Sequence, residues 1–401
     1  MIMWEVFLID ERMKKSILFL IGNLESGGVS KSMVSLLNTI DRQKYDVSLW
    51  MGSPMGLFYG LLPKDITLLS DDRITFLLKG KTGLYSLLKR GHLLLFIGSL
   101  LRLFLSCVNK SYAGWWLAKL MPIIENKEYD LIVDYNGQHQ LYYMVDKLKG
   151  KKKISFFHSD YAKWSYYYQM DRYYYSKVDF IYTISDVCVQ SLKSFFPNQV
   201  HKIQLMENIT SPQLIQRMSN EQILDMSMDE QTKSFLTIGH ISVKKGTDLA
   251  IKAAAILKKK GIKFKWFFLG KEIENFKDLI NQLDLTENII YLGMHSNPYP
   301  YLKRADIYIH PSQFEGKSIA LDEAKILCKP IVVTNFSTVK DQFEDRVNAS
   351  ICDMNPNSLS DAIIELLEDE YLKNKYKKYL CSHLIDNSNE INKIYQIIED
   401  K

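Results

Sequence analysis

Ten short runs of β-branched and aromatic residues, separated by longer helical stretches, constrain this chain more than any other feature. In the first half they are SILFLI, YDVSLW, DLIVDY, KKISFF and DFIYTIS; in the second, SFLTIG, KWFFLG, NIIYLG, DIYIHP and PIVVTN. Helical segments such as Ser30–Thr39, Thr247–Lys259 and Ile319–Cys328 lie between them. Apolar strands joined by helices form parallel sheets covered on both faces. The pattern occurs twice, and 401 residues suit two domains of ~150–200 residues each. A polar stretch with Pro212, Asn220 and the acidic pair Asp229–Glu230 marks the break. The expected architecture is α/β: two Rossmann-like, doubly wound domains facing across a cleft, over residues 13–210 and 211–385. A terminal helix over 386–401 is expected to pack back towards the first domain.

Composition narrows the function classes. A net charge of +5 is a mild basic excess, compatible with phosphates or an anionic membrane and too weak to argue for nucleic acid. Cys107, Cys188, Cys328, Cys352 and Cys381 have neither metal-ligand nor redox spacing and are expected as reduced thiols in a cytoplasmic protein. The first twelve residues, MIMWEVFLIDER, are too acidic for a signal peptide; Met13 is the expected start and 1–12 an upstream extension. The stretch Leu84–Pro122 departs from the alternation. It holds HLLLFIGSLLRLFLSC, interrupted by Arg102 and flanked by Lys89, Arg90 and Lys110. Two readings stay open for it: a peripheral membrane contact, with these four cations at the headgroups, and a helical insertion packed on its own domain.

The richest chemistry lies in HPSQFEGKSIALDEAKILCKPIVVTN. A strand ends at His310–Pro311, a loop carries Glu315, Gly316, Lys317 and Ser318, and a helix starts near Ile319 with Glu323 in its first turns. Free N–H groups and the macrodipole at a helix start attract phosphate. Carboxylates accept from sugar hydroxyls. By spacing alone, helix capping with solvated acids accounts for the pair equally well.

This segment resembles the paired-glutamate signature of retaining GT-B glycosyltransferases, the large family four that includes many bacterial surface-polysaccharide enzymes. Glu315 and Glu323 are separated by seven residues, and the flanking FEG, DEA and KP also fit. The resemblance implies that Glu323 holds the donor ribose and Glu315 the transferred sugar. The amides of Gly316, Lys317, Ser318 and Ile319 would then bind sugar and diphosphate. In FLTIGHISVKKGTDLAI, Lys245 and Gly246 match the family's Lys-Gly pair, which makes Lys245 the diphosphate counter-ion. His240 stands where the family has arginine, a departure that replaces a forked cation by a single donor. Gly27 and Gly28 match its N-terminal glycine loop, and His158 in KKISFFHSDY matches a histidine near donor and acceptor. Ser185 and Asn208 fall where the family has short hinge-side motifs.

The implied activity is transfer of a sugar, with retention, from a nucleotide-sugar (a UDP-sugar) to a glycan or lipid-linked saccharide in surface-polysaccharide synthesis. His158, Glu315 and Lys245 are the expected catalytic residues. No metal or other cofactor is expected, since there is no Asp-x-Asp between strands and no His/Cys cluster. The rivals are a nucleotide-sugar epimerase on the same fold and a non-catalytic subunit of a transferase.

Overall fold

The computed structural model describes residues 14–400, apart from 26, 224–225, 227–230 and 316. The proposed extension 1–12, Met13, Gly316 and the Asp229–Glu230 pair therefore lie outside the described residues. Two compact units emerge: one runs to Glu207 and takes in the stretch from Glu390, the other is Asn208–Asn389.

The first unit carries a parallel sheet of β1 (Lys15–Ile21), β2 (Tyr45–Met51), β3 (Thr67–Leu69), β4 (Glu128–Asp134), β5 (Lys149–Phe157), β6 (Phe180–Thr183) and β7 (Ile203–Leu205). Its order is β3-β2-β1-β4-β5-β6-β7. The register is uninterrupted from Lys15↔Tyr45 to Ile21↔Met51. Ile17 to Ile21 are all buried, as a strand covered on both faces requires. The helix Ile391–Glu399 completes this unit. Ile391, Ile394, Ile397 and Ile398 face inward at helical spacing. Tyr395 stacks on Tyr45 with ring centres 4.6 Å apart.

The second unit carries β8 (Lys233–Ile238), β9 (Phe264–Leu269), β10 (Ile289–Gly293), β11 (Ile307–His310), β12 (Ile331–Thr334) and β13 (Ser350–Cys352). Its order is β10-β9-β8-β11-β12-β13, again parallel. Each sheet reverses its winding beside its first strand, between β1 and β4 in one and β8 and β11 in the other. In such sheets the loops past the carboxyl ends of those strands line the ligand crevice. All ten expected strands are present.

Two expectations are corrected. Cys328 and Cys381 are not reduced thiols: they form a disulfide, 53 residues apart in sequence, while Cys107, Cys188 and Cys352 are free. It links the end of the helix Ile319–Ile326 to the helix Glu370–Ser382. Arg102 does not point outward as a surface charge. It is half-buried, and its guanidinium donates to Leu77 O at 3.0 Å. The tyrosine-rich stretch packs mainly inward: Tyr161, Tyr174 and Tyr175 are buried, and Tyr142 and Tyr161 both donate to buried Asp171.

Candidate active site

The site in the second unit is assembled by two loops leaving neighbouring strands. After β8 the chain passes Gly239 and His240, makes a tight turn over Val243–Lys245 and enters the helix Thr247–Lys259 through Gly246. Ser242 shapes that turn, its hydroxyl accepting from Lys245 N at 3.4 Å, while Ser242 N donates to Thr247 Oγ1 at 3.0 Å. Gly246 has φ +71°. A Cβ there would lie 1.8 Å from Pro311 O. The turn after β8 is thus pressed backbone to backbone against the residue after β11, an approach only glycine allows. Gln313 N donates to Lys244 O at 3.1 Å and ties the same two loops.

This contact delivers Lys245 to Glu315. Lys245 Nζ lies 2.6 Å from Glu315 Oε1. His310 Nε2 is 3.0 Å and Ser312 Oγ 2.8 Å from the same oxygen. Tyr308 Oη is 3.1 Å from His310 Nδ1, so the imidazole is held on both sides. Thr338 Oγ1 donates to the carbonyl of Glu315 at 3.0 Å. Burial pushes the Glu315 carboxyl up, but the hydrogen bond and charge of His310 and the charge of Lys245 outweigh it, leaving it lowered to about 2. Glu315 is therefore a carboxylate throughout the physiological range, held by three donors on one oxygen.

Helix Ile319–Ile326 begins at Ser318, which makes no side-chain capping bond. Its first N–H groups are the kind that receive anions. Glu323, one turn in, is buried and accepts from Tyr299 Oη at 3.0 Å. Burial, and then the charge of Glu323, drives the Tyr299 phenol well above its usual value, so it stays a donor. Lys317 is half-buried and Phe314 exposed, with Lys244 Nζ 5.7 Å from the Phe314 ring centre. His240 follows β8, its imidazole pushed down by burial and then by the charges of Lys245 and Lys271.

The remaining candidates lie in the first unit, apart from Asn208, where the second begins. Gly27, at φ +91°, starts the helix Gly28–Thr39. His158 follows β5 directly, half-exposed, its ring 4.5 Å from that of Tyr135 and 5.7 Å from that of Phe156. Tyr135 Oη and Ser32 Oγ are 2.6 Å apart, tying the end of β4 to the glycine-initiated helix. Buried Asp134 accepts from Ser155 Oγ and from the amides of Asn136 and Gly137, which fixes the loop after β4. Ser185 caps the helix Asp186–Phe195, and the Asn208 carbonyl accepts from Asn387 Nδ2 at 2.8 Å.

The structure thus joins Lys245 to Glu315 directly and seats Glu323 in the adjoining helix. It adds His310, Ser312 and Tyr299, which the motif alone does not single out. His310 and Ser312 flank the end of β11 within the same segment, and that position is the signal that could have found them. Tyr299 leaves none, because it reaches Glu323 from another helix 24 residues away. Among the described residues no three His, Cys, Asp or Glu gather as a metal site.

Residues 220–381 match the family model Glycosyl transferases group 1. An uncharacterized glycosyltransferase of Methanocaldococcus jannaschii is 27% identical over 171 residues, 42% of each chain. The N-acetylgalactosamine-N,N'-diacetylbacillosaminyl-diphospho-undecaprenol 4-alpha-N-acetylgalactosaminyltransferase of Campylobacter jejuni is 27% identical over 207 residues, 51% of this chain and 54% of that one. These matches span only about half the length of the curated relatives. The structure of Anabaena HepE in complex with UDP covers 96% of this chain and 99% of its own, with a TM-score of 0.64 at 14% identity. The match over residues 220–381 thus makes this stretch of the second unit similar to the group 1 glycosyltransferases, and the two doubly wound sheets have the GT-B fold.

Proposed function

We propose that this chain transfers a sugar, with retention, from a UDP-sugar to a glycan or lipid-linked saccharide, without a metal ion. The observation that carries the reading is the ion-paired Lys245–Glu315 cluster beside the open start of the helix bearing Glu323. Lys245 and the helix N-terminus meet the charge that develops on the leaving diphosphate. Glu315 and the amides of Lys317, Ser318 and Ile319 orient the sugar. Glu323 accepts from the ribose hydroxyls. The UDP of the HepE complex and the α-linked, diphospho-undecaprenol-borne product named for the Campylobacter relative support the donor and acceptor classes. Transfer from a panel of UDP-sugars to a lipid-linked acceptor tests it; donor turnover that ignores acceptor would favour an epimerase, and none at all a non-catalytic subunit.

Two results are expected. Glu323→Ala weakens UDP by ~1–3 kcal/mol, the range for a desolvated hydrogen-bonded contact. Calorimetry with UDP, alongside a melting curve to exclude misfolding, checks it, and unchanged affinity would remove Glu323 from the ribose. Transfer also survives excess EDTA, since Lys245 and the helix dipole supply the positive charge; loss restored by magnesium or manganese would overturn the metal-free scheme.

A further inference from the structure

Between β3 and β4 the chain makes four helices: α2 (Asp72–Leu78), α3 (Gly80–Lys89), α4 (Leu93–Val108) and α5 (Lys110–Leu120), after a first helix α1 (Gly28–Thr39). Helix α4 is two-faced in an unusual sense. Its inner side packs Leu95 and Phe96 on the core, buries Gly98 and Ser99, and turns Arg102 in to Leu77 O. Gly98 lets α5 come close, since a Cβ there would lie 2.4 Å from Leu120 Cδ2, and Trp116 Nε1 donates to Gly98 O at 2.9 Å.

The outer stripe is apolar and bare. Leu94 is 84% exposed, Ile97 54%, Leu101 43%, Phe104 65% and Val108 71%. At i, i+3, i+7, i+10 and i+14 these side chains share one face. A run of exposed large apolar residues along a whole helix marks an interaction surface. The charge around it is one-sided. From Arg73 through Ile124 the sequence has eight Lys and Arg and no Asp or Glu. Arg73, Arg90 and Lys119 are paired with Asp71, Asp72 and Asp146, while Lys79, Lys81 and Lys89 stand exposed along α3 and at its start.

From these observations we infer that the outer face of α4 is a monotopic membrane-docking surface, resting its apolar side chains in the boundary of an anionic bilayer with the flanking lysines on the headgroups. A helix of 16 residues is about 24 Å long, short of the ~30 Å hydrocarbon core, so it lies in the interface. Among the described residues no helix is long and apolar enough to cross a membrane. Anionic lipid complements a stretch that carries no acidic residue. A symmetric contact between two copies would set the same cationic stretch against itself. The inference stands on this helix and not on the transfer reaction, so UDP binding and docking are separable.

The test is co-sedimentation at low salt with sucrose-loaded vesicles of phosphatidylethanolamine and phosphatidylglycerol, against phosphatidylcholine alone. The wild-type chain is expected to pellet with the anionic vesicles. Leu94→Glu with Phe104→Glu lowers that partition at least tenfold and leaves the melting curve and UDP affinity unchanged. A second readout needs no change to the apolar face: exposed Cys107 lies on α4, and an environment-sensitive dye on it shifts to the blue with anionic vesicles. A wild-type protein left in the supernatant, or a dye that does not shift, overturns the inference. So does a concentration-dependent dimer that the glutamates split, which would assign the face to a second copy.

Discussion

Lys245→Met is expected to lower kcat/KM for sugar transfer by about 10²–10³, the loss seen when one preorganised charge-stabilising donor is removed. The side chain keeps its length and loses its charge, so the effect isolates electrostatics. Most of the loss falls on kcat, because charge on the diphosphate grows as the glycosidic bond breaks. The variant also leaves Glu315 with only His310 and Ser312 on its Oε1. Steady-state kinetics with a saturating acceptor measures it. A change of less than threefold would remove Lys245 from the leaving group.

Gly246→Ala is expected to destabilise the protein by about 3–5 kcal/mol, at the upper end for a single substitution. Backbone strain and a steric clash act together. The residue sits at φ +71°, where a Cβ is disfavoured by ~1 kcal/mol. The clash costs more: the Cβ would approach to 1.8 Å from Pro311 O, which is backbone and cannot rotate away. Gly261 is the control: its φ is +78°, yet nothing lies within 4 Å of its Cβ position. Gly261→Ala is expected to cost only the ~1 kcal/mol of the dihedral. Urea unfolding of both variants separates strain from clash, and equal losses would show that the loops can part without penalty.

The doubly wound character is legible in the sequence because strands buried on both faces are continuous apolar runs. The three strands that the sequence hides, β3, β7 and β13, are three residues long and lie at sheet edges. Such strands form because a neighbour offers free amides and carbonyls, and their own residues carry little signal. Glu315, Glu323 and Lys245 stand out through their likeness to the family's motifs, because spacing alone fits helix capping and solvated side chains equally well. Tyr299 is not, since a phenol that reaches across from another helix leaves no periodic trace. The inward turn of Arg102 is hidden for a related reason: a helix rich in leucine all round gives no phase, and only the close approach at Gly98 shows which side turns in. The Cys328–Cys381 link spans 53 residues and likewise has no local signature.

The pairing of Lys245 with Glu315 has a consequence for selectivity. A small anion such as sulfate that approaches the ammonium must compete with a carboxylate already 2.6 Å away, and would leave that carboxylate with one donor fewer. A nucleotide-sugar brings both halves of the exchange at once: phosphate oxygens for Lys245 and sugar hydroxyls for Glu315. On the proposed function, a ligand that joins phosphate and sugar offers a partner to each member of the pair, which free phosphate does not.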